Sequence, residues 1–154
     1  METNLSDFVR RFLRSSRRHC EMVIALLAKP SLPDAERRTL IRTLRLLFQC
    51  HRRALFIAEW HGAIPAAELS ELRREFAQVG LAVCEQQIKA LDAKLNSPKL
   101  PVRQYCARAN TYCTLLQMSR QFQRELDALD EQALATPAPS RGGKAETRTP
   151  KVCQ

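Results

Sequence analysis

Prolines cut this chain into four pieces of similar length, and that division constrains its fold more than any other feature. Pro30 and Pro33 make the first break, Pro65 the second, and Pro98 with Pro101 the third. Proline has no backbone N–H and its ring clashes with the preceding turn, so it belongs at helix starts or between helices. Within each piece the apolar residues recur at the three-to-four-residue spacing of an amphipathic helix. Four long helices with short connections predict an all-α fold, an antiparallel up-down-up-down four-helix bundle.

The first helix is expected over about 5–29, with Asn4 or Ser6 as its cap and Asp7 at the positive end of the dipole. Its apolar stripe includes Leu5, Val9, Phe12, Leu13, Cys20, Val23 and Leu27. The second, about 34–61, carries Leu40, Leu44, Leu47, His51, Leu55 and Ala58, widened by Ile41, Phe48 and Trp60, and Gly62 stops it. The third, about 66–95, carries Leu69, Leu72, Phe76, Val79, Val83, Ile88 and Leu91. Gly80 interrupts that stripe, costing about 1 kcal/mol relative to alanine, and predicts close approach of a neighbouring helix. The fourth, about 101–134, follows a heptad seam through Val102, Tyr105, Ala109, Tyr112, Leu116, Ser119, Leu126 and Ala133. Its last turns are acidic where the helix dipole disfavours acids, which predicts either fraying or a basic neighbour. Residues 1–135 form the expected bundle, and 136–154, rich in Pro, Gly and Thr, the expected disordered basic tail.

The 154 residues are 45% hydrophobic, enough for a single sizeable core. No apolar run approaches the roughly 18 residues of a membrane span, and METNLSDFVRRF lacks the apolar stretch of a signal peptide. An intracellular protein of cytoplasm or nucleus, not secreted, is the expectation. Its six cysteines then stay free and mostly buried.

Chemistry-bearing motifs are missing. There is no E-x-x-H for a two-metal bundle, no H-E-x-x-H, no phosphate-binding glycine loop and no G-x-S-x-G. A non-enzymatic protein without cofactor is expected. Cys20, Cys84 and Cys113 fall at similar heights if the helices alternate in direction, which makes them a weak thiolate candidate for zinc or copper(I). The competing reading is that cysteine is a small apolar core residue.

Two features bear on partners. The net charge is +9, and basic residues concentrate on the first two helices. Arg10, Arg14, Arg17 and Arg18 form one candidate face; Arg38, Arg42, Arg45, Arg52 and Arg53 form another. A merged basic face would suit nucleic acid or an anionic membrane. The second feature is apolar: Met22, Leu26, Leu46, Phe56, Ile57, Leu115 and Met118 lie off the main stripes. Apolar residues on more than one face widen a core, or suit a homo-oligomer or partner surface. The leading expectation is therefore an adaptor or assembly subunit that binds another protein through a helix face. Binding of nucleic acid or anionic lipid is the alternative, and a cysteine-based metal carrier is a weaker third.

Overall fold

The computed structural model describes residues 4–136, so the expected C-terminal tail, apart from Thr136, lies outside the described residues. Four helices account for nearly all of them: α1 (Leu5–Leu27), α2 (Asp34–Trp60), α3 (Ala66–Leu95) and α4 (Val102–Ala135). Asn4 caps α1, its side chain accepting from the Ser6 amide at 3.2 Å. Pro33, Pro65 and Pro101 each stand immediately before a helix, at φ near the proline optimum. Gly62 follows α2 with φ +59°, and the Ala63 amide returns to the Ala58 carbonyl, a glycine-terminated helix end. None of the described helices is long and apolar enough to cross a membrane.

The side-chain pairs between helices reveal the topology. From α1 to α3 the partners rise together, Arg10 with Glu68 and Arg17 with Glu75, so these helices are parallel. From α2 to α4 they also rise together, Asp34 with Arg108 and Arg52 with Glu125. From α2 to α3 they run in opposite senses, Asp34 with Lys94 and Glu59 with Arg73. This is the antiparallel up-down-up-down bundle. It is built as two hairpins, α1 along α2 and α3 along α4, with α2 joining them.

The join is aromatic. Phe48 of α2 meets Phe76 of α3 and Phe122 of α4 edge-to-face, with centroids 5.4 and 5.0 Å away. Leu27, Ile41, Leu44, Cys84, Leu91 and Leu115 extend this core. A second cluster, with Val9, Leu13, Leu55 and Leu69, closes the other end around Ile64 of the α2–α3 connection. Gly80 lies under the Phe122 ring, which is the expected close approach. The acidic end of α4 has its basic neighbours: Glu125 pairs with Arg52 and Asp130 with Arg74.

Two expectations about facing are corrected. In α4 the buried residues are Thr111, Leu115, Met118, Phe122 and Leu129, one residue out of phase with the expected seam. The seam through Leu116 and Ser119 collects more apolar letters. The seam through Phe122 places the bulkiest side chain against the smallest residue of α3, and packing follows volume. In α1, Phe12 is exposed while Leu13 is buried.

Candidate functional site

Two surface features stand out. The first is exposed apolar and basic surface on the outer sides of α1 and α2. Phe8 (58% exposed), Phe56 (58%) and Trp60 (75%) lie open, as do Leu5, Phe12 and Ile57. A hydrogen bond between buried Ser16 Oγ and His51 Nδ1, 3.0 Å long, fixes the register of this antiparallel hairpin. Counting outward from it, Phe12 and Phe8 lie at the levels of Leu55 and Glu59. The exposed aromatics of both helices thus gather at one end of the hairpin. Phe56 and Trp60 stack on each other, centroids 6.2 Å apart.

Along the outer side of α2, Arg38, Arg42, Arg45, Gln49, Arg53, Phe56 and Trp60 follow one another at steps of three or four residues. Such spacing keeps residues on one helix face. A line of arginines therefore runs into the stacked aromatic pair. Arg42, Arg45 and Arg53 are exposed and Arg38 is half-buried, and none has a carboxylate partner among the described residues.

The rest of the expected basic face is divided. Arg10 and Arg17 turn to α3, where Arg10 grips both carboxylate oxygens of Glu68 and Arg17 reaches Glu75 at 3.2 Å. Arg52 turns inward; its Nε donates to Glu125 at 2.5 Å and its guanidinium lies 4.5 Å from the centre of the Phe122 ring. Arg14 and Arg18 remain exposed on α1. Sequence reasoning missed Arg37, which is buried: its Nη1 donates to Gln87 Oε1, and Gln87 Nε2 donates to the Leu27 carbonyl at 3.2 Å. This polar chain ties α2 and α3 to the end of α1.

The second feature is a groove of about 610 Å³ between α1 and α3. Leu13 and Ile24 form one wall, Leu72, Phe76 and Val79 the other, and Phe48 and His51 of α2 the floor. The Arg10–Glu68 and Arg17–Glu75 pairs span its mouth, seven residues apart on each helix. Seven residues are two turns, about 10 Å. Between the two pairs sits Arg14, which lines the rim and has no carboxylate partner among the described residues.

The groove interior carries no charge near neutral pH. His51 stacks on Phe76 with centroids 4.6 Å apart, and burial, helped by Arg17 and Arg52, pushes its pKa down to about 4. Burial pushes the Cys20 thiol up to about 11 and Cys84 to about 12. Protonated thiols are weak nucleophiles and weak ligands. Ser16 and His51 touch, but Ser16 lies mid-helix, where the neighbouring amides are bonded to carbonyls one turn back.

The cysteine candidate for metal is not assembled. Cys20 and Cys84 are buried while Cys113 is exposed on α4. Among the described residues no group of three His, Cys, Asp or Glu side chains is positioned to hold an ion. Equal height along the bundle does not suffice, because Cys113 points away from the axis the other two approach. No family model, curated protein or solved structure matches the chain.

Proposed function

We propose that this protein is a non-catalytic binding module, an adaptor or assembly subunit, that docks a protein partner on the outer face of α2. The observation that carries the reading is the stacked, solvent-exposed Phe56–Trp60 pair at the end of the Arg38–Arg53 line. Large aromatics and arginines dominate binding energy at protein interfaces. The charge selects the occupant: an acidic, amphipathic segment, its apolar residues covering Phe56 and Trp60 and its carboxylates facing the arginines.

A second reading rests on the arginine line itself. Arg38 to Arg53 spans about 22 Å of helix, a length along which several phosphates could be met. Nucleic acid or an anionic bilayer is then the ligand.

One experiment separates them. Tagged full-length protein is recovered from its native cell with and without nuclease, at low and moderate salt. Two variants, Phe56→Ser/Trp60→Ser and Arg38→Gln/Arg42→Gln/Arg45→Gln/Arg53→Gln, are recovered alongside. The proposal expects a stoichiometric acidic protein that survives nuclease and is lost from the aromatic variant. Recovery of nucleic acid or lipid alone, lost only from the arginine variant, replaces it with the second reading.

A further inference from the structure

We propose that the groove between α1 and α3 binds a single-chain anionic amphiphile of the long-chain fatty-acid class, its chain on the Phe48–Phe76 floor and its carboxylate at Arg14. This site is separate from the outer face of α2: Phe48 and His51 are the α2 residues that line it, and neither belongs to the stripe from Arg38 to Trp60. The two proposals therefore stand or fall independently.

The shape of the groove limits what can enter. About 610 Å³ lies within the roughly 300–1,000 Å³ typical of small-molecule sites. It is too small for a helix, whose side chains make it about 10–12 Å across, so that two turns alone fill on the order of 1,000 Å³. The walls are apolar on both sides. On α3, Leu72 and Phe76 are half-buried and Val79 is exposed, at steps of four and three residues, and on α1 Ile24 is half-buried opposite them. These side chains are wetted only because α1 and α3 do not close on each other. An apolar chain laid between them removes that surface from water without moving either hairpin.

The interior polar groups do not oppose such a ligand. His51 already has Ser16 as its partner and is neutral near pH 7, and Cys20 is a protonated thiol. No carboxylate lies on the floor to repel an acid, and no cation lies there to demand one.

The rim decides the head group. Three arginines and three glutamates line it. Glu68 belongs to Arg10, and Glu21 and Glu75 both belong to Arg17. Arg14, between the two bridging pairs, is left for an anion. The Arg17–Glu75 pair is exposed and therefore weak, so it parts readily when a chain enters between the helices.

The test is equilibrium binding of palmitate to full-length protein, below its critical micelle concentration, by displacement of a fluorescent fatty acid. Hexadecanol and hexadecylamine serve as neutral and cationic controls. Two variants fill the groove from opposite walls, Val79→Trp and Ala25→Trp; both positions are exposed, so each should fold, as circular dichroism verifies. A third is Arg14→Gln. The expected result is saturable one-to-one binding of palmitate, weakened at least tenfold by either tryptophan. Arg14→Gln should weaken palmitate about tenfold and leave hexadecanol unchanged, the loss expected for one charge-assisted contact. Absence of saturable binding overturns the proposal, as does binding that ignores both tryptophans. Equal affinity for palmitate and hexadecanol, with no effect of Arg14→Gln, overturns the anionic head group.

Discussion

Phe122 of α4 seats its ring against Gly80 of α3 so closely that a Cβ at position 80 would overlap the ring. The same ring meets Phe48 of α2 and Phe76 of α3 edge-to-face. The contact between a bare backbone and a fully buried ring sets how near α3 and α4 can lie, and it sets the phase of α4.

Replacing Gly80 with alanine should therefore destabilise the protein, although alanine is the better helix former. The gain in propensity is about 1 kcal/mol, while forcing a methyl into a filled core costs about 1–3 kcal/mol and more when the neighbour is rigid. A net loss of about 1–2 kcal/mol in urea unfolding is expected. A stabilised Gly80→Ala variant would mean that Phe122 does not lie there.

The phase of α4 has its own test. Leu115 is buried and Leu116 only partly so. Leu115→Ala should cost about 2–5 kcal/mol, as buried leucines do. Leu116→Ala should cost clearly less, by at least about 1 kcal/mol in the same unfolding measurement. The reverse order would restore the seam through Tyr112, Leu116 and Ser119.

His51 should make stability depend on pH. Its pKa falls from 6.5 to about 4 on folding because the charged ring would lose its hydration. The unfolded chain thus binds a proton at His51 more readily than the folded one. Stability is fully present above pH 6.5 and is lost as pH falls toward 4. Between pH 7 and pH 4.5 this group should account for roughly 2–3 kcal/mol, at about 1.4 kcal/mol per unit. His51→Gln should remove that part of the slope and keep the part due to ion-paired carboxylates such as Glu68 and Glu59, whose pKa values are held down by Arg10 and Arg73. Equal slopes for the two proteins between pH 7 and 4.5 would show that His51 is solvated.

The architecture was readable in the proline spacing, because each proline stops or starts a helix whatever the tertiary context. Helix ends followed closely, since Asn4, Gly62 and the prolines act through the local backbone. Facing was less readable. In α1, Phe12 and Leu13 both fit an apolar stripe, and only the path of α2 decides that Leu13 goes in. In α4, Leu115 and Leu116 are equivalent until Gly80 makes room for Phe122. The basic face was half readable: arginine positions show spacing, but not that Glu68, Glu75 and Glu125 on other helices would claim Arg10, Arg17 and Arg52. What remained, the Arg38–Arg53 line and the Phe56–Trp60 stack, was visible as periodicity with no hint that the two share one stripe until the buried face of α2 was known. The groove had no sequence signal, because it arises where α1 and α3 fail to meet.

The outer face of α2 is the centre of this account, and site-specific photo-cross-linking in the native cell tests it most directly. A photoreactive residue replaces Trp60 or Phe56 in the full-length protein, and Gln121, exposed on α4, serves as the control position. The account predicts a discrete protein adduct at positions 60 and 56, absent at 121, with an acidic segment of the partner at the point of attachment. Adducts with nucleic acid or lipid at 60 and 56, or the same adducts at all three positions, would contradict it.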